Sequence, residues 1–222
     1  MIGAPVRAES TNMTEMMKGD AIQDVADTTR TVLVWDPLVR SSHWGLVAAF
    51  AVAWLAADEV QPLHEAAGYA VAALLALRLI WGFVGSRHAR FTQFVRGPAA
   101  TLAYLGDMLH GRERRHLGHN PAGAAMIVAL MVTLSGTALS GWLLEQSIEE
   151  ARAVTVAGEH GNREVRGDKT LKEVHEMLAN MALVLVALHV GGVAVTSWRH
   201  RENLPRAMVT GRKRPPGTND VT

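Results

Sequence analysis

The sequence predicts an all-α integral membrane protein, a four-transmembrane-helix bundle. Three observations predict it. Apolar residues are bunched into four stretches, at about 38–57, 64–84, 121–144 and 171–197, near the roughly 20-residue length that crosses a bilayer. Basic residues are divided unevenly among the connections. Several histidines lie within or at the ends of those stretches, where an ionisable group is costly and functional by default.

The elements follow in order. Residues 1–32 contain no apolar core of the signal-peptide kind and read as a disordered cytoplasmic extension. The membrane domain occupies 33–210. Asp36 and Pro37 form a start signal, an N-cap followed by proline in the first turn. Asp58, Glu59 and Pro62 close the first span and force a short turn into the second, which ends at Gly82 or Gly85. Residues 98–110 place Leu102, Leu105 and Leu109 on one face, predicting an amphipathic helix along the membrane surface. Asn120 and Pro121 open the third span, and 145–170 read as a polar loop. The tail from Gly211 to Thr222, with its Gly-Arg-Lys-Arg-Pro-Pro-Gly start, is expected to be disordered.

Charge sets an orientation. The segments 1–42, 85–120 and 199–222 carry 4, 6 and 6 Lys and Arg residues, whereas 58–63 carries none and 145–172 carries five. Basic residues gather on the cytoplasmic side of membrane proteins, so both termini are expected in the cytoplasm of a bacterial inner (plasma) membrane. The same rule explains the basic clusters 112–115 and 212–214 as flanks of spans resting on membrane lipid, with no nucleic acid involved. Cysteine is absent, which excludes disulfides, thiolate metal sites and covalently attached c-type haem.

The most informative spacing is that of His175 and His189, fourteen residues apart in one apolar stretch. In a helix this is roughly 21 Å of rise with a return to nearly the same face. The two rings are too distant to share one small ion, and suit two flat cofactors stacked across a membrane. Haem iron takes imidazole as an axial ligand. Threading the topology gives two levels: His43 with His189 on the inner side, and His64 with His175 on the outer side. A metal transporter would instead need ligands three or four residues apart on a helix. Arg78, fourteen residues after His64, reaches the inner level, where it could pair with a haem propionate or snorkel to the interface. Glycines 45, 68, 123, 136, 141, 191 and 192 suit either a flat ring near the backbone or close helix packing.

These residues resemble a known family. Arg40–Ser–Ser–His–Trp44, His64–Glu–Ala–Ala–Gly68, Arg78–Leu–Ile–Trp–Gly82, Leu117–Gly–His–Asn–Pro121 and the pair His175 and His189 resemble motifs of the prokaryotic cytochrome b561 family and the related cytochrome b subunits of nickel-iron hydrogenases. The likeness spans about 33–214. It implies a four-helix bundle holding two b-type haems, with His43, His64, His175 and His189 as axial iron ligands. It also implies electron transfer between the quinone pool and a redox partner. The chain lacks the Thr-Gly that closes the first span of the hydrogenase subunits, having Ala56–Ala57–Asp58, and lacks their fifth span. It therefore resembles the shorter members, for which a c-type cytochrome or other periplasmic redox protein is the expected partner. A quinone site is expected at the inner face from Arg40, Trp44, Arg87, His88 and Arg90, with the helix from Pro98 as lid. The alternative is a self-sufficient superoxide:quinone oxidoreductase, whose anionic donor would need a basic outer entrance, for which Arg163, Arg166, Lys169 and Lys172 are the candidates.

Overall fold

The computed structural model describes residues 31–156 and 168–222. Strand β1 (Val32–Leu33) leads into α1 (Pro37–Ala56) and α2 (Gln61–Val84). A 3-10 turn (Arg87–Ala89), α3 (Phe91–Phe94) and α4 (Pro98–Leu109) follow. The long helices α5 (Pro121–Val156) and α6 (Lys169–Arg199) come next, then α7 (Leu204–Thr210) and β2 (Arg212–Lys213). Helices α1, α2, α5 and α6 are each long and apolar enough to cross a membrane, so the helical membrane bundle is the fold observed.

Starts follow from local chemistry. Asp36 accepts from the Val39 amide at 2.9 Å, with Pro37 inside the first turn of α1. Asn120 accepts from the Gly123 amide at 2.7 Å at the start of α5, and Asp168 accepts from the Thr170 amide at 2.8 Å at the start of α6. Each such cap satisfies an amide the helix leaves unpaired, worth about 1 kcal/mol.

The helices pack as two hairpins, α1 against α2 and α5 against α6, joined where α2 meets α5. A cluster of Val71, Leu75, Leu134 and Ala182 fills the middle of the bundle. Large apolar side chains face outward instead: Leu55, Phe83 and Trp198 are 77%, 70% and 81% exposed. In water that would be ruinous. In lipid it costs nothing, and helix association rests on close packing rather than on apolar burial.

One end of the bundle carries the 57–60 turn and will be called the turn end. The other, the basic end, gathers residues 31–36, 85–120 and 200–222. There β1 and β2 pair antiparallel, Val32 opposite Lys213 and Leu33 opposite Arg212. Gly211 ends α7 at φ +80, in the left-handed region that favours glycine. A Cβ there would also lie 2.6 Å from the Trp35 carbonyl oxygen. Beneath this clamp Val34, Trp35, Val39, Ala89 and Ala207 form a second core.

Three expectations need correction. The tail from Gly211 is ordered by distant partners. The Arg115 guanidinium, 5% exposed, binds Asp220, donates to Glu202 at 2.7 Å and to the Arg214 carbonyl at 2.9 Å. Lys213 stands over the Trp35 ring. The strand pairing crosses both expected domain boundaries, because Val32 and Arg212 lie outside 33–210. The rest of the N-terminal extension, 1–30, lies outside the described residues. The polar loop is also shorter than expected: α5 continues to Val156, since 142–156 contains no glycine or proline and is rich in good helix formers. Residues 157–167, with Arg163 and Arg166, lie outside the described residues. The surface helix appears as α4, packed on α5, with Leu102 and Leu109 69% and 84% exposed.

Candidate functional site: two facing histidine pairs

Helix α6 packs closely along α5 and against α7, and makes no comparable backbone contact with α1 or α2. It meets those helices through Ala182 in the central cluster and through histidines. His189 faces His43 of α1 with ring centres 6.4 Å apart, and His175 faces His64 of α2 at 6.0 Å. The two pairs are stacked along α6 at the basic and turn ends, as the fourteen-residue spacing predicts.

These separations have a chemical meaning. A metal–imidazole bond is about 2 Å, so one metal between two imidazole nitrogens holds the ring centres about 6 Å apart. Among the described residues no group of three or more His, Cys, Asp or Glu could hold a metal ion. Each pair can therefore supply two axial ligands and no more, which suits a metal whose remaining ligands come from a macrocycle. Gly68 stands one turn after His64, and a Cβ there would meet no atom within 4 Å. The chain at that face can lie flat beside a planar ring. The residues fit haem.

The pairs differ in how their rings are held. At the turn end, the Nδ1 of His64 lies 2.8 Å from the Ala53 carbonyl, and the Nδ1 of His175 lies 3.0 Å from the Thr137 carbonyl and 3.2 Å from Ser140 Oγ. A carbonyl only accepts, so each Nδ1 carries the proton and each Nε2 presents a lone pair. Gly141 packs on the same ring, where a Cβ would stand 3.0 Å from His175 Cε1. At the basic end, His43 Nδ1 is buried without a hydrogen-bond partner among the described residues.

Arg78 is buried at 8% exposure on α2, donates to the Ala89 carbonyl at 3.2 Å and lies over the Phe91 ring. It is thus turned into the basic end and does not snorkel outward. The five residues expected at a quinone site divide into two groups, which no hydrogen bond or ring contact joins among the described residues. Arg40 and Trp44 donate to the Val209 and Met208 carbonyls at 2.6 and 3.3 Å, docking α7 on α1. Arg87, His88 and Arg90 lie in the segment after α2, where Arg90 donates to the Gly85 carbonyl at 2.7 Å. Burial, then the Arg87 and Lys213 charges, push the His88 imidazole below its ordinary value.

Sequence reasoning missed the groups that orient the ligand rings, because backbone carbonyls carry no residue signature. It also gave no role to His119, which lies outside every span and figures only in the Leu117–Pro121 motif. Its ring packs against Trp35 and Phe94, both at 4.5 Å, with Nδ1 buried and unpartnered among the described residues.

Over residues 34–211 the chain matches the family described as prokaryotic cytochrome b561. It is 23% identical over 255 aligned positions to the probable Ni/Fe-hydrogenase B-type cytochrome subunit of Rhodobacter capsulatus, covering 96% of this chain and 94% of the relative. It is 26% identical over 162 positions to the probable Ni/Fe-hydrogenase B-type cytochrome subunit of Rhizobium leguminosarum bv. viciae, covering 59% of this chain and 66% of the relative. No solved structure matches.

Proposed function

The chain belongs to the prokaryotic cytochrome b561 family, and from that premise we propose that it is a di-haem b-type cytochrome carrying electrons between the quinone pool and a redox partner. Membrane electron transfer is what the family implies. The observation that carries the di-haem reading is the pair of facing imidazoles at each of two levels of α6. His43 and His189 would hold one haem and His64 and His175 the other. When bound, each haem supplies an iron that takes up and releases one electron at a time. The Ala53 and Thr137 carbonyls fix the turn-end tautomers, and the bundle keeps water from both levels.

The basic end faces the cytoplasm of a bacterial inner membrane in this reading, by the excess of Lys and Arg there. Quinone meets the haem at that end, with Arg87 and His88 as contacts while Arg40, Trp44 and Arg90 hold the frame. The partner docks at the turn end and is a c-type cytochrome or another periplasmic redox protein. The names of both relatives make a hydrogenase the competitor, and affinity isolation from native membranes separates them. An anionic donor such as superoxide is disfavoured. Tyr69, on the helix that carries His64, donates to Glu145 at 2.5 Å, and Glu65 and Glu149 act on the same hydroxyl, so the local field is negative.

The test is haem content with single substitutions. Wild type should bind two haems per chain. His43→Ala and His189→Ala should abolish one low-spin haem signal, and His64→Ala and His175→Ala the other. A wild-type ratio of one, or a signal shared by His43→Ala and His64→Ala, defeats the reading.

A further inference from the structure

Four buried side-chain polar atoms lack a partner among the described residues: Arg40 Nε, His43 Nδ1, Glu113 Oε2 and His119 Nδ1. All lie at the basic end. His43 belongs to the proposed haem site, Arg40 is anchored through Nη1 to α7, and Glu113 reaches Arg199 through its second oxygen at 2.9 Å. His119 has no such explanation. An enclosed ring nitrogen without a hydrogen-bond partner costs about 1–3 kcal/mol, and packing against Trp35 and Phe94 holds the ring there regardless.

The surroundings say what kind of group would answer it. Arg78, Lys213, His88 and His189 are the titratable groups that act on His119, and all are cationic or imidazole. Burial and then these neighbours push its pKa down to about 3, so the ring is neutral and offers one N–H donor. The nearby carboxylates are engaged elsewhere: Asp36 by Trp81, Ser86 and the Val39 amide, and Glu202 by Arg115. Arg78 keeps guanidinium donors beyond the one given to Ala89. A buried cation and a neutral donor, with neighbouring acids already bound, form a site for a carboxylate brought by something other than this chain.

We infer that His119 and Arg78 together seat a propionate of the haem held by His43 and His189. His119 is then a positioning residue, donating through Nδ1 while Trp35 and Phe94 fix the plane of its ring. The carboxylate fits this place because it meets a full positive charge and a directed hydrogen bond away from water. The inference rests on the di-haem reading, and the experiment separates the two. A wild-type protein without the haem that His189→Ala removes would defeat that reading before His119 is tested.

With that haem present, the test compares His119→Phe, which fills the gap between Trp35 and Phe94 but donates nothing, with His119→Gln, which keeps a donor. The readouts are the two haem midpoint potentials and the propionate-bending band in resonance Raman spectra. The Phe variant should lower the midpoint of the basic-end haem alone, since a less neutralised propionate favours the ferric state, and should shift its propionate band. The Gln variant should retain both at close to wild type. Unchanged potentials and band in both variants, or equal shifts at the two haems, overturn the inference. If His119→Phe does not assemble, the wild-type protein decides: the band should move on transfer to deuterium oxide, and an unmoved band overturns the assignment. A band that responds to added phosphate or anionic lipid also overturns it, because the site would then hold a free anion.

Discussion

The two histidine pairs share a helix and a similar separation, yet they are held by different means. At the turn end, orientation comes from the backbone. The Ala53 and Thr137 carbonyls fix the rings, and Gly141 lets α5 approach His175. At the basic end, His43 Nδ1 has no such carbonyl, and the neighbourhood is built from side chains: Arg78, His119, Trp35 and the network around Arg115. The turn-end site is thus written into helix packing, whereas the basic-end site depends on elements outside the four spans. Substitutions that disturb the cap should therefore reach one haem and spare the other.

The largest effect that would break this contrast is at Gly141. A Cβ there already stands 3.0 Å from the His175 ring, so Gly141→Leu should displace the ligand. Low-spin haem at the turn end should be lost or become high-spin while the basic-end signal persists, as read by electron paramagnetic resonance. Loss of both would show that the pairs are not independent.

Arg115→Ala should act at the opposite end. Removing one partner of a buried ion cluster costs about 3–5 kcal/mol, here by stranding Glu202 and Asp220. Limited proteolysis should release the C-terminal tail, and the basic-end haem should shift while the turn-end haem holds. The same network predicts a pH dependence. Burial raises the Glu202 and Asp220 carboxyls, but hydrogen bonds and the Arg115 charge outweigh it, and both end below their ordinary values. Their stabilisation is complete above the ordinary carboxylate range and is lost as pH falls through it and below. Protease resistance of the tail should follow that curve, and an Arg115→Ala tail should be cleaved at every pH.

Ser140→Ala sharpens the contrast with the smallest effect. Ser140 Oγ is 3.2 Å from His175 Nδ1, but the Thr137 carbonyl remains at 3.0 Å. Loss of one of two acceptors is worth about 0.5–1.5 kcal/mol, so the turn-end midpoint should move slightly with haem content unchanged. A large change would mean that the hydroxyl, not the backbone, holds the ring.

The contrast also explains what was legible in the sequence. The spans were readable because lipid makes apolarity and length sufficient, and the starts at Asp36 and Asn120 because caps are local. The histidine pairing was readable because α6 is regular, so spacing alone fixed both level and face. The tail was not. Its Gly, Pro and Arg content describes disorder in any local window, and what orders it is Arg115, about a hundred residues away. The division within the expected quinone cluster was not legible for a related reason: proximity to one membrane face does not reveal that Arg40, Trp44 and Arg90 each bind a carbonyl.

The strand pair at the basic end has one more consequence, concerning biogenesis. Val32 and Leu33 leave the ribosome about 180 residues before their partners Arg212 and Lys213. The clamp can close only when both strands stand on the same side of the bilayer, which requires an even number of crossings between them. A nascent chain that skips or adds a crossing leaves both strands with unpaired edges and Arg115 without its carboxylates. The ribbon is in effect a parity check on insertion, made only after all four spans have been synthesised and read out as a closed strand pair.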